Sequence, residues 1–161
     1  MDRRKLKSKV WRNPLYFLAF GFGAGLMKRA PGTWGTCMGI PIYLLMEHTS
    51  SVVYLGLLGC FFIFGVGLCQ RVSMEIGIDD YPGIVWDEIV GFLVTMFSVP
   101  TNMMWVILGF GLFRLFDIIK PQPIRWVDKH CRGGWAIMLD DVLAGIAACL
   151  VLHVISWGLK G

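Results

Sequence analysis

Six of the eleven acidic residues stand where apolar segments should begin or end, and two basic residues accompany them. The acids are Asp80, Asp87, Glu88, Asp117, Asp140 and Asp141, and the bases are Arg114 and Lys120. Charge in or beside a membrane helix costs free energy, so it usually marks a functional site. Carboxylates are oxygen ligands that suit Mg²⁺, which typically takes one or two of them together with water and phosphate oxygens. The residue types therefore predict a divalent-cation site that handles a phosphate.

The acids come as two adjacent pairs and two single residues. Neighbours on a helix diverge by about 100°, so one acid of each pair can point inward while the other caps the helix or binds from the rim. An acid in a first helical turn is also favoured by the helix dipole, which explains any single one without a metal. Six acids on one face, without enough nearby bases to neutralise them in simple pairs, favour the metal site.

Arg114, Asp117 and Lys120 follow one another at three-residue spacing and can share one broad helix face. Arginine and lysine there suit a phosphate, through bidentate contact and point charge respectively. The alternative is an ion pair of Asp117 with either base. Upstream, the glycines and hydroxyls of residues 32–36 precede a helix and could cradle an anion through free backbone N–H groups. Thr33 could instead cap that helix, and the glycines could serve close packing.

The rest of the chain predicts an all-α helical bundle in a membrane. Charged residues make up 16% of the sequence, against about 25% in a typical soluble domain. The length predicts one domain over residues 1–161, with a basic tail over residues 1–14. The basic run Arg3–Lys9 either binds anionic lipid headgroups or is a solvated terminus. No basic stripe with interleaved aromatics follows it, so we expect no nucleic-acid partner.

Hydrophobic segments predict five spanning or half-spanning helices, starting near residues 34, 50, 84, 103 and 138. The stretch Ile89–Phe113 is long for one span and carries a strong turn signal over Ser98–Asn102. We therefore predict a hairpin with arms at Ile84–Val99 and Met103–Ile119, and a single span kinked at Pro100 is the alternative. Residues 15–27 are too short and glycine-rich for a span and are placed in the interface or as a re-entrant element.

Following the crossings places every charged motif on one membrane face. A kinked single span would put Asp117 opposite Asp87, so the shared face also favours the hairpin. The loops on the motif side are rich in basic residues, and the opposite loops have almost none, which makes the motif side cytoplasmic. The basic residues on the motif side are Lys28, Arg29, Arg71, Lys120, Arg125, Lys129 and Arg132, whereas Lys160 lies opposite.

Four blocks of the sequence resemble phosphatidylglycerophosphatase A and appear in the order of that family. They are APGTWGT at 30–36, IVWDEIVG at 84–91, FRLFDIIKPQPIR at 113–125 and GGWAIMLDDVLAG at 133–145. Ala136 departs from the glycine expected in the fourth block. The resemblance implies a multi-pass, Mg²⁺-dependent lipid phosphatase of the bacterial inner membrane. Its expected substrate is phosphatidylglycerophosphate, and its products are phosphatidylglycerol and inorganic phosphate. The sequence does not indicate an oligomeric state.

The resemblance also implies roles for the charged residues. One or two Mg²⁺ ions would be held by a subset of five acids, namely Asp80, Asp87, Glu88, Asp140 and Asp141. Arg114 and Lys120 would hold the phosphate, while Asp117 would be a further ligand or the general base. Asp117 and Asp140 could also be structural. The remaining predicted contacts to the substrate come from Thr33, Thr36 and Arg125.

Three alternatives stay open at this point. Attack on phosphorus could come from water directly or from an aspartate. A small transporter or ion-binding membrane protein would also use membrane carboxylates, although it predicts acids near mid-span and inverted repeats. A scaffold whose acids only pair with bases would lose folding, but no chemistry, when its aspartates are changed.

Overall fold

The computed structural model describes residues 3–122, 124–131 and 133–159, without the side chains of residues 3 and 127–129. The described part is helical and has no strands, so the prediction of an all-α fold is confirmed. Its helices are α1 (Arg3–Arg12), α2 (Pro14–Ala19), α3 (Pro31–Met46), α4 (Ser51–Ile76), α5 (Trp86–Thr95), α6 (Met103–Ile119), α7 (Ile124–His130) and α8 (Gly133–Gly158). A 3-10 segment, Gly21–Leu26, connects α2 to the loop before α3.

Helices α4 and α8 are long and apolar enough to cross a membrane. Each has 26 residues, which corresponds to about 39 Å of helix, and the hydrocarbon core of a bilayer is about 30 Å thick. Much of their apolar surface is exposed, as at Val52, Ile63, Leu150 and Val154. A large exposed apolar surface marks contact with lipid or with another protein. The predicted total of five crossings stays a prediction.

Helices α5 and α6 form the predicted hairpin. Helix α6 has the predicted bounds, and Asn102 caps it because its side chain accepts the backbone N–H of Trp105 at 3.1 Å. Helix α5 is shorter than predicted, with 10 residues, or about 15 Å, which is half of a bilayer core. The chain leaves helical geometry at Val85 and again after Thr95, where a turn through Ser98 leads back to α6.

Helix α5 lies at the centre of the bundle and contacts α3, α4, α6 and α8. Its apolar side chains Ile89, Val90, Phe92 and Leu93 are completely buried. Every neighbour therefore packs on this short helix, and its first turn carries Asp87 and Glu88. The positions of these two acids are fixed by the best-packed element of the fold.

Helix α8 begins five residues earlier than predicted, at Gly133 and not near residue 138. The backbone N–H of Gly134 donates to the side chain of Gln70 on α4 at 2.6 Å. A Cβ on Gly134 would collide with the carbonyl of Val66, so glycine lets the two helices meet here. Asp140 and Asp141 consequently lie about two turns inside α8. The prediction that they begin the helix is wrong.

Helix α3 also begins earlier than predicted, at Pro31. Proline suits a first helical position because its fixed φ matches the helix and it lacks an N–H to leave unpaired. Ala30 precedes it in the left-handed conformation, with a φ of 49°. Thr33 therefore lies inside the helix, and the alternative that it caps the helix is wrong.

The basic tail is a helix that packs on the body of the protein. Leu6 and Val10 of α1 are buried, and Lys9 donates to the carboxylate of Glu75 at 2.8 Å. The alternative of a solvated, frayed terminus is therefore wrong for residues 3–12. The following segment packs through Phe20, which is completely buried. Its placement in the membrane interface stays a prediction.

Candidate active site

The six acids and two bases singled out in the sequence line one cleft of about 370 Å³. The cleft lies where α3 and α5 begin and α6 ends, beside the third turn of α8. The charged residues lining it are Asp80, Asp87, Glu88, Arg114, Asp117, Lys120, Asp140 and Asp141. Four segments far apart in sequence thus contribute to one strongly acidic space, which we call the active cleft.

Three of the acids form a compact group within the active cleft. Asp87, Glu88 and Asp141 each offer an oxygen, and these atoms lie within 4.8 Å of one another. Opposite oxygen ligands of one Mg²⁺ or Ca²⁺ lie roughly 4 to 5 Å apart. Each residue also has a buried oxygen without a hydrogen bond, namely Asp87 Oδ1, Glu88 Oε2 and Asp141 Oδ2. Buried carboxylates are costly unless they are paired or coordinate a metal, so this donor set fits a divalent cation.

The crossing of α5 and α8 sets the distance between Asp87 and Asp141. Four residues after each acid stands a glycine, Gly91 in α5 and Gly145 in α8, and the two helices touch there. A Cβ on Gly145 would collide with the carbonyl oxygen of Gly91. The buried hydroxyl of Thr95 donates to that carbonyl at 3.0 Å and lies 3.5 Å from the carbonyl of Gly145. The glycines therefore allow an approach that larger residues would prevent.

Arg114 lies among acids in the active cleft. Its Nη1 is 2.5 Å from Asp117 Oδ2 and 3.9 Å from Glu88 Oε1, and its Nε is buried without a hydrogen bond. Gly32, at the start of α3, faces the same groups, since a Cβ there would overlap the Glu88 carboxylate and lie about 3 Å from the guanidinium. The guanidinium is thus held at the cleft, and its Nε–H is still available to donate a hydrogen bond.

Lys120 pairs with Asp140 of α8, because its Nζ lies 2.6 Å from Asp140 Oδ2. It ends α6 in the left-handed conformation, with a φ of 46°. This geometry turns the side chain from the face of α6 toward α8. The Arg114–Asp117 ion pair expected as one alternative is present, and Lys120 makes an ion pair with α8.

Backbone strain is concentrated around the active cleft. Non-glycine residues with positive φ include Ala30, Asp80 and Lys120, and all three line the cleft. This conformation costs about 1 to 3 kcal/mol at a non-glycine residue and persists where the surroundings enforce it, commonly at functional sites. Asp80 and Lys120 carry charged side chains into the cleft lining, and Ala30 directly precedes α3 there.

Three predicted substrate contacts are not among the residues that line the active cleft. The hydroxyl of Thr36 is buried and donates to the carbonyl of Gly32 in its own helix at 2.9 Å. Thr33 is half-buried one turn before it, and Arg125 is exposed on α7. Their predicted roles would require a substrate that extends beyond the cleft or a movement of the chain.

Sequence reasoning missed the residues that position the acids. Gly91, Gly145 and Thr95 do not line the active cleft, and they lie where α5 packs against α8. A signal was present in α5, where the small residues Gly91 and Thr95 stand four positions apart in an apolar helix. Small residues at such spacing are typical of close helix packing in membranes.

Comparisons with known proteins agree with this site. The family model of phosphatidylglycerophosphatase A matches residues 17–156. A phosphatidylglycerophosphatase A from Haemophilus influenzae is 39% identical over 158 residues, which is 97% of each chain. The protein of that name from Escherichia coli K12 is 41% identical over 150 residues, 89% of this chain and 84% of the relative.

A third relative, from Bacteroides thetaiotaomicron, is provisionally named a phosphatidylinositol-3-phosphatase. It is 35% identical over 145 residues, 85% of this chain and 90% of the relative. No solved structure matches the chain. The family match covers all four sequence blocks and every residue that lines the active cleft. Together with the cleft, these matches show that the chain belongs to the phosphatidylglycerophosphatase A family and is a phosphatase that acts on a lipid phosphate.

Proposed function

We propose that this phosphatase hydrolyses phosphatidylglycerophosphate to phosphatidylglycerol and inorganic phosphate, with Mg²⁺ bound by Asp87, Glu88 and Asp141. The observation that carries the proposal is the group of three carboxylates within 4.8 Å, each with an unpaired buried oxygen. The names of the two relatives at 39% and 41% identity support the substrate. The reaction would complete the synthesis of an anionic lipid.

The acidity of the active cleft supports the proposal of a bound cation. Six acids and two bases line it, and a phosphomonoester adds further negative charge. Mg²⁺ bound at the three carboxylates would supply the positive charge that draws phosphate oxygens in and activates a water molecule. Asp80 and Asp140 line the same space and are the remaining predicted ligands.

The two bases bind the phosphate in this proposal. Arg114 can form bidentate contacts, and its unpaired Nε gives it a donor to spare. Lys120 adds a point charge from the opposite side, where Asp140 holds it. Both charges stabilise the equatorial oxygens of the transferring group, where negative charge is spread in the transition state.

Asp117 is the proposed general base. Arg114 holds the carboxylate of Asp117 at the cleft wall. When Arg114 also contacts the phosphate, the Asp117 carboxylate can accept a proton. Hydrolysis forms a bond from the water oxygen to phosphorus and breaks the bond from phosphorus to the glycerol oxygen. One proton passes from water to the base, and one returns to the departing glycerol oxygen. A role as a further ligand is the alternative for Asp117.

The active cleft is proposed to face the cytoplasm at the surface of the inner membrane. Exposed tryptophans stand in the first turns of two helices that line the cleft, Trp34 in α3 and Trp135 in α8. Tryptophan is enriched where a membrane protein meets the headgroups. The exposed bases Lys28, Arg29, Arg71 and Arg125 also lie in segments at this end, whereas Arg132 and Lys160 lie outside the described residues. The diacylglycerol tails would stay in the bilayer, so only the headgroup must reach the acids.

Phosphate release from phosphatidylglycerophosphate by the purified protein in mixed micelles tests this proposal. We expect turnover with Mg²⁺ and loss of turnover with excess EDTA, restored when Mg²⁺ is added back. Undiminished turnover in EDTA would remove the metal from the mechanism. Absence of phosphate release in Mg²⁺ would exclude phosphatidylglycerophosphate as the substrate.

A second substrate class is favoured by the Bacteroides relative. Phosphatidylinositol 3-phosphate also carries a phosphomonoester on a polyol that a phosphodiester joins to diacylglycerol. A panel of this lipid, phosphatidylglycerophosphate and phosphatidic acid compares the candidates at equal surface concentration. We expect the highest kcat/KM for phosphatidylglycerophosphate. Family membership and the presence of the acids in one cleft favour this phosphatase over the transporter alternative.

A further inference from the structure

A second cavity, which we call the side pocket, adjoins the active cleft. It has a volume of about 220 Å³ and shares two wall residues, Pro31 and Pro82, with the cleft. Its other walls are mainly apolar and include Phe20, Leu26 and Tyr81. The two spaces are therefore neighbours on either side of one pair of prolines.

Close backbone contact builds the side pocket. Gly25, in the 3-10 segment, meets Gly83 so closely that a Cβ on Gly25 would collide with the carbonyl of Gly83. A Cβ on Gly83 would lie 2.6 Å from the ring of Phe20 and 2.8 Å from that of Tyr81. The segment whose place in the membrane the sequence left open thus forms the wall of a cavity beside the catalytic acids.

The charged residues that line the active cleft are mainly acids, whereas the side pocket is lined by a base. Six acids line the active cleft, whereas Lys28 is the one charged residue among the described residues that line the side pocket. Lys28 is exposed at the rim, so an anion that extends out of the cleft past Pro31 would meet a base. Apolar walls behind it suit the carbon chain that such an anion carries.

We propose that the side pocket binds the phosphodiester and the adjoining glycerol of the lipid substrate, with Lys28 contacting the phosphodiester. This inference rests on the proposed function, because phosphatidylglycerophosphate carries two phosphates joined by one short glycerol bridge. With the phosphomonoester at Arg114 and Lys120, the phosphodiester must lie in a space that adjoins the cleft. The side pocket supplies that space, its apolar wall and the matching charge, so Lys28 contributes to recognition of the lipid headgroup.

The chain provides a matched control in the next residue. Lys28 and Arg29 are both exposed bases, and only Lys28 lines the side pocket. We expect Lys28→Gln to raise KM for phosphatidylglycerophosphate roughly threefold to tenfold, the range of a partly exposed charged contact. We expect kcat to change little, Arg29→Gln to change KM less than about twofold, and Lys28→Arg to restore the wild-type KM.

Inorganic phosphate, used as a competitive inhibitor, separates the two spaces. It occupies only the phosphomonoester position, so its inhibition constant should be the same for the wild type and Lys28→Gln. An equal rise of this constant and of KM would overturn the proposal, since Lys28 would then act on the active cleft as a whole. Equal effects of Lys28→Gln and Arg29→Gln would also overturn it, by showing a general surface-charge effect.

Failure of the proposed function gives a different result. If the wild type releases no phosphate from phosphatidylglycerophosphate in Mg²⁺, the substrate assignment fails before any variant is compared. If the wild type is active and Lys28→Gln has an unchanged KM, the assigned substrate stands and the role of Lys28 is wrong.

Discussion

Asp87 and Asp141 each precede, by four residues, the glycine at which their two helices touch. The contact lies one helical turn from the acids, so the distance between the carboxylates follows from the packing of Gly91 against Gly145. An increase in side-chain size at either glycine should therefore act on the site without touching it.

We expect Gly91→Ala and Gly145→Ala to lower kcat/KM by about tenfold or more, because small displacements of catalytic groups are costly. The added methyl of Gly91→Ala would lie 2.8 Å from the carbonyl of Asp141 and 2.6 Å from the Phe113 ring. Overpacking of this kind also destabilises by about 1 to 3 kcal/mol. Phosphate release and thermal unfolding in the same detergent measure the two effects.

Gly59→Ala and Gly111→Ala are the controls, since nothing lies within 4 Å of an added Cβ at either position. Both are in helices, where alanine is favoured over glycine by roughly 0.5 to 1 kcal/mol. They should retain full activity. Full activity in Gly91→Ala and Gly145→Ala as well would show that the crossing does not set the site.

Asp87→Asn and Asp141→Asn should each lower turnover by about a thousandfold, as expected when a group that positions charge in the transition state is lost. In EDTA, both variants should be at least as stable as the wild type, because each removes one of several crowded buried charges. Mg²⁺ should raise the melting temperature of the wild type by binding the folded state, and this increase should be small in the variants.

Asp79→Asn is the control for these changes, because Asp79 is exposed and does not line the active cleft. Its activity and its response to Mg²⁺ should match the wild type. A full Mg²⁺-dependent rise of the melting temperature in Asp87→Asn would exclude that residue as a ligand, whatever its activity.

Lys120→Gly separates the charge of Lys120 from its backbone conformation. Glycine adopts the positive φ of residue 120 without strain, so we expect a folded protein. The ammonium is absent, and kcat/KM should fall by about ten- to a hundredfold, the loss expected for a charged hydrogen bond. Circular dichroism and phosphate release test this, and activity close to the wild type would remove Lys120 from phosphate binding.

Gly32→Ala should impair catalysis from the opposite wall of the cleft. Its methyl group would overlap the Glu88 carboxylate and crowd Arg114, so one or both must move away from the phosphate. We expect kcat/KM to fall about tenfold or more. Gly67→Ala, whose Cβ would meet nothing within 4 Å, should be unaffected. Equal activity of the two variants would contradict a close fit at the start of α3.

The helices of the fold could largely be predicted from local sequence. Asn102 and the preceding proline turn define the beginning of α6, and the predicted range Met103–Ile119 is confirmed. The hairpin prediction is also confirmed, because a long apolar run with a turn signal in its middle cannot form one straight helix. The start of α8 differs from the prediction because its first turn contacts Gln70, which is 64 residues away in sequence.

The sequence by itself determined which residues could do chemistry, and it placed the charged residues of α5 and α6 at the same end of their hairpin, because the turn between the two helices fixes where each one ends. Only the tertiary structure decided which of these charges share a site. It places Asp87, Glu88 and Asp141 together, pairs Lys120 with Asp140 across two helices, and sets Asp117 beside Arg114. These choices depend on how closely helices approach at glycines distant in sequence, and local patterns carry no information on that distance.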